Sequence, residues 1–137
     1  MNRWFLGCVA FIVGAFGAGC AARVPVVTTP AYPAFIFPAV PVAYADARAA
    51  RVQQEAWAFL QTGDLITAEQ RFAENLVDDR DFFPATAGLG WVDMAGGHFG
   101  EAIAHFESAL VVEGSYAPAL VGLGEALLRT ADTIGAL

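Results

Sequence analysis

The 137-residue chain contains no lysine. Its seven basic residues are all arginine and face 14 Asp and Glu, for a formal net charge of −7. No basic cluster occurs, so the concentrated positive surface that phosphate binding needs is missing and a nucleic-acid partner is excluded. Cysteine is nearly absent too. Cys8 and Cys20 are the only two, and none follows, which excludes a disulfide framework for the rest of the chain and suits an oxidising compartment. Catalytic signatures are also missing: no G-x-S-x-G, H-E-x-x-H or phosphate-cradling glycine loop is present. The two histidines, His98 and His105 with Glu101 between them, read as surface polar residues rather than a metal pair. The run "DDRD" at 78–81 reads as solvated loop carboxylates, since paired acids alone specify no reaction. The sequence therefore implies no catalytic residues, no metal and no cofactor.

What is abundant is apolar residues, 57% of the chain, unevenly placed. The opening "MNRWFLGCVAFIVGAFGAGCAA" has Arg3 as a positive n-region, a 13-residue apolar stretch from Trp4 to Phe16, and the small residues Gly17, Ala18 and Gly19. That core is shorter than the roughly 20 residues a spanning helix requires. Because the small residues end on Cys20, residues 1–19 resemble a bacterial lipoprotein signal peptide, with Gly17 where leucine is usual. The resemblance implies that Cys20 becomes a lipidated mature N-terminus, tethered to the membrane rather than spanning it. Ala21 in the next place implies the outer membrane, facing the periplasm.

Residues 20–45 form the next unit. "RVPVVTTPAYPAFIFPAVPVAY" carries five prolines in 22 residues, which forbids a continuous helix and favours extended backbone. Tyr32, Phe35, Ile36 and Phe37 make it too apolar for a solvated spacer. It reads either as an arm packing back on the following domain or as a segment docking a partner or the lipid interface.

From Asp46 the apolar spacing becomes helical, and the chain begins to repeat itself. "PATAGLG" at 84–90 returns as "PALVGLG" at 118–124, with five of seven letters identical at an offset of 34. At the same offset Gly63 pairs with Gly97, Ala68 with Ala102, Phe72 with Phe106 and Leu76 with Leu110. A fixed period without gaps predicts stacked copies of one helix–turn–helix unit, an all-α solenoid over 46–137 with copies at 49–82, 83–116 and an incomplete 117–137. The phrases "QTGDLITAEQRFAENL" and "AGGHFGEAIAHFESAL" place Gly at the turn, Ala five later and an aromatic four beyond. In this the domain resembles the tetratricopeptide repeat (TPR) family, at about two and a half repeats. Departures from that pattern are Asn75 in place of alanine, Arg80 in place of the closing proline, and Asp93 in place of an apolar residue. Ala131 occupies the turn-glycine place of copy three, so the expectation is a turn there and a second helix barely begun, as in a fragment of a longer array.

The resemblance implies a concave groove lined by the first helix of each unit. Its inward places hold Gln53, Trp57, Leu60 and Gln61, then Ala87, Trp91, Met94 and Ala95, then Val121, Glu125, Leu128 and Arg129. Trp57 and Trp91 lie one period apart, and with Leu60, Met94 and Leu128 they make an apolar stripe. Such a stripe is either a docking surface or is covered, by "AFIFPAVP" or by packing within the stack. The partner-binding candidates are Trp57, Leu60, Gln61, Trp91, Met94, Val121 and Leu128, and the lipidation candidate is Cys20. The function expected is a periplasmic, membrane-anchored TPR lipoprotein scaffold that binds a peptide or helix. The alternative is a self-assembling subunit stacking through its incomplete last repeat.

Overall fold

The computed structural model describes residues 23–136. Five helices account for most of them: α1 (Ala47–Gln61), α2 (Leu65–Asp78), α3 (Phe83–Gly96), α4 (Phe99–Val112) and α5 (Ala117–Gly135), preceded by a short 3₁₀ turn at Val42–Tyr44. Local chemistry sets their ends. Asp46 caps α1 by accepting from the Arg48 N–H, and Asp64 caps α2 by accepting from the Thr67 N–H at 3.1 Å. Pro84 and Pro118 sit in the first turns of α3 and α5, where the missing N–H costs nothing. The α1–α2 and α3–α4 turns each need one left-handed residue, which is supplied by Gly63 (φ 83°) and Gly97 (φ 77°).

Each helix packs chiefly on its neighbours in sequence, giving the pairs α1–α2 and α3–α4 followed by α5. α1, α3 and α5 also touch in series, whereas among the described residues no contact joins α2 to α4. The α1–α3–α5 layer is therefore the more closely spaced of the two. The described residues form an all-helical array of packed pairs.

Three of the four glycines in the repeated "GLG" are explained by their contacts. A Cβ placed on Gly88 would lie 2.4 Å from the Phe72 ring, and one on Gly122 would lie 2.3 Å from the Phe106 ring. Each second helix thus drives an aromatic ring into a gap in the next first helix, and only a residue without a side chain leaves that gap. Phe106 is also held from the other side, since a Cβ on Gly90 would meet it at 2.7 Å. Ala68, Ala102, Phe72 and Phe106 are fully buried, as the shared period requires.

The expected turn at Ala131 does not form. α5 runs unbroken to Gly135, because alanine is a strong helix former and does not readily take the left-handed conformation that Gly63 and Gly97 adopt. The array is two helix pairs and one long helix.

Candidate functional site

The α1–α3–α5 face is not bare. Residues 29–41 lie along it without helix or strand, folded at Tyr32–Phe35 into a turn in which the Phe35 N–H donates to the Tyr32 carbonyl at 3.1 Å, and the contacts that hold them alternate between backbone clamps and ring stacking. At the near end Gln61 grips one residue twice. Its Oε1 accepts from the Tyr32 N–H, and its Nε2 donates to the Tyr32 carbonyl, both at 3.1 Å. The Gln61 backbone carbonyl also accepts from the Ala31 N–H at 2.8 Å. A primary amide is suited to this because it presents one donor side and one acceptor side in a plane, as a neighbouring strand would.

The middle of the segment is held by rings. Phe35 packs on Trp91 with centroids 4.6 Å apart and is stacked in turn by Tyr32 at 4.9 Å, while Phe37 meets Trp57 edge-on at 5.5 Å. Trp91 reaches through to the Phe106 ring at 5.2 Å, so the groove floor is continuous with the core. Each such pair adds about 0.5–1.5 kcal/mol beyond the area it buries.

The far end is clamped by Gln53 of α1 and by Tyr116 just before α5. Gln53, fully buried on α1, donates from Nε2 to the Pro38 carbonyl at 3.0 Å and to the Pro84 carbonyl on α3 at 2.7 Å. Its Oε1 accepts from Asn75 Nδ2 of α2 at 3.4 Å, and the same Nδ2 donates to the Ala49 carbonyl at 3.0 Å. Asn75, the departure from the repeat at that place, thus orients the glutamine that holds the segment. Just before α5, the Tyr116 hydroxyl donates to the Ala39 carbonyl at 2.8 Å, and burial pushes its phenol well above the ordinary value of 10.0. Among the described residues, two buried side-chain polar atoms have no partner: Asn75 Oδ1 and Trp91 Nε1.

The candidate residues fall into three groups. Trp57, Gln61, Trp91 and Met94 lie together beneath or beside the 29–41 segment, with Trp91 fully buried and Trp57 half-buried. Leu60 is buried in the core rather than standing on the groove wall, because it continues the Val52–Ala56 stripe by which α1 packs on the stack. Val121 (45% exposed) and Leu128 (67% exposed) are open on α5. Between the segment and α5 lies a cavity of about 180 Å³ bounded by Tyr32, Phe35, Met94, Phe99, Glu125 and Arg129. Residues 1–19, expected to be a signal peptide, and Cys20 lie outside the described residues.

Sequence reasoning missed Tyr116, whose partner is 77 residues away, and missed Asn75 as an anchor, though the broken repeat marked the position. Of the other two departures, Asp93 is also explained: half-buried on α3, it pairs with His105 of α4 at 2.6 Å, whereas nothing in the structure explains Arg80. Among the described residues no three His, Cys, Asp or Glu side chains gather as a metal site would require, and no helix is long and apolar enough to cross a membrane. Comparison of the chain with protein-family models, with characterised proteins and with solved structures finds no match in any of the three.

Proposed function

We propose that the chain is a TPR-type interaction scaffold, anchored through lipid on Cys20 to the periplasmic side of a bacterial membrane, whose concave groove recognises a peptide segment. The observation that carries this reading is the occupancy of the groove. The helix face expected to bind a peptide or helix already grips a non-helical segment of this chain, using main-chain clamps from Gln61, Gln53 and Tyr116 together with the Trp57 and Trp91 rings. Amides and aromatic rings at the floor of a curved surface are the chemistry of peptide recognition, where backbone bonds hold the chain and ring pockets select it.

Two experiments test the parts separately. Intact mass after expression in a bacterium with two membranes should give a chain beginning at residue 20 with a lipid-sized addition, lost in Cys20→Ser. An unmodified full-length chain would remove the anchoring half. For the groove, a photo-crosslinking residue at Val121 or Leu128 should form discrete adducts in cells, while the same residue at Val77 or Val111 of the other layer should not. Equal adducts from both layers would remove the scaffold half.

A second reading, self-stacking through α5, is favoured by one observation. Gly90 holds a ring from the following helix, but a Cβ on its counterpart Gly124 would meet nothing within 4 Å, and Leu120, Leu127 and Ile134 are exposed on α5. Concentration-dependent oligomers on gel filtration, abolished by Leu127→Glu with Leu128→Glu, would select it.

A further inference from the structure

We infer that the groove is a receptor for segments of a partner protein spaced aromatic–Pro–x–aromatic–x–aromatic–Pro, with a turn after the first ring, of which Tyr32–Pro38 is the resident copy. The inference rests on the groove reading above and adds the class of ligand. Tyr32, Phe35 and Phe37 supply the three rings; Pro33 sits in the turn that brings Phe35 against Tyr32, and Pro38 is the middle residue of a second tight turn, in which the Ala39 N–H donates to the Phe37 carbonyl at 2.9 Å. The polar contacts go to main-chain atoms: Ala31 N, Tyr32 N and O, Pro38 O and Ala39 O. Main-chain bonds are indifferent to side chain, so any segment with rings and prolines at these places can make them. Residues between the rings are free to vary, as Ile36 is exposed.

The resident segment is not the best ligand this surface can take. Upstream of Tyr32 the chain turns back along α1, where Val27 and Pro30 line a cavity with Trp57. It leaves the α5 third of the groove open, with Val121, Leu128 and the Glu125–Arg129 pair accessible beside the 180 Å³ cavity. It also leaves the buried Trp91 Nε1 without an acceptor. A partner segment that makes the same clamps and runs on over α5 gains contacts the resident one lacks. The advantage of the resident segment is its tether, which keeps its effective concentration high.

The test cuts that tether. A protease site is inserted after Val42, which is exposed, in the full chain held in detergent, and the purified protein is then cleaved. The probe is a fluorescein-labelled peptide of residues 29–40, TPAYPAFIFPAV. The expected result is replacement of the cut segment, seen as a rise in polarisation, with binding weakened at least tenfold when both phenylalanines of the peptide become serine. Equal binding of the serine peptide, or no replacement while circular dichroism stays helical, overturns the ligand class. Panning random dodecapeptides on the same cleaved protein separates the two levels. Enriched peptides without the spacing overturn only the ligand class, and no enrichment on folded protein overturns the groove reading as well. Should cleavage unfold the helices, the uncut Phe35→Ser/Phe37→Ser chain takes its place, and loss of folding there too makes the segment inseparable core and overturns exchange. A dimer of the uncut chain with reciprocally exchanged segments would make the occupant a second copy and overturn the partner assignment.

Discussion

Gly122→Ala and Gly124→Ala are the same chemical change two residues apart on α5, yet they should move stability in opposite directions. At Gly122 the new methyl would stand 2.3, 2.5 and 2.8 Å from three Phe106 ring atoms. That ring cannot retreat: it is fully buried, lies against Gly90 on the other side and meets the Trp91 ring at 5.2 Å. Overpacking of this kind costs about 1–3 kcal/mol, while replacing glycine by alanine inside a helix returns roughly 0.5–1 kcal/mol. A net loss of about 1–2 kcal/mol follows for Gly122→Ala. At Gly124 nothing lies within 4 Å, so only the helix term remains and the variant should gain roughly 0.5–1 kcal/mol. Urea unfolding followed at 222 nm should therefore bracket the parent midpoint, one variant below and one above, at unchanged slope. If both variants are stabilised alike, the ring does not occupy the gap, and the physical account of the repeated "GLG" is wrong.

Gln53→Leu should destabilise by about 1–3 kcal/mol, because it leaves the buried Pro38 and Pro84 carbonyls without their donor; an unchanged urea midpoint would contradict the clamp. Gln61→Ala should free the near end of the segment, read as faster hydrogen exchange at the Tyr32 amide while the α3 and α4 amides keep their protection. Burial raises the folded-state pKa of Tyr116, so its contribution is complete below the unfolded value near 10.0 and is lost as pH rises beyond it. Midpoints measured from about pH 8 to about pH 11 should fall at the alkaline end, and Tyr116→Phe should flatten that fall. Leu128→Glu should leave stability within about 0.5 kcal/mol, since its side chain is already in water; a larger loss would mean α5 is covered in solution.

Helix positions were legible because the 34-residue period and the helix spacing are both imposed by packing. Gly63 and Gly97 mark the turns, and Phe72 and Phe106 mark the seams. The long α5 was not legible from the period alone: alignment placed a turn at Ala131, but backbone preference decides whether a turn forms, and alanine lacks the permissive φ. The site was half legible. Trp57 and Trp91 stood out as an apolar pair at equal places, and the apolar "AFIFPAVP" was visible as something needing cover. That the two meet was one of the alternatives the sequence left open; what selects it, ring stacking and bonds to bare carbonyls, leaves no pattern in either segment. Asn75 shows what a broken repeat is worth: the place where the copies disagree is where the array stops serving itself and holds something else.

Repeat arrays couple only neighbour to neighbour, so they fray from their ends. The 29–41 segment changes that connectivity. Its far end touches α1 through Gln53, shares that glutamine with Pro84 of α3, and reaches Tyr116 at the head of α5, joining residues 77 apart in sequence. A segment that touches every unit turns a chain of pairwise links into a closed loop of them, so the short array should melt as one cooperative body. Were a partner to take its place, as proposed above, it would also set how tightly the ends of the array are bound to each other.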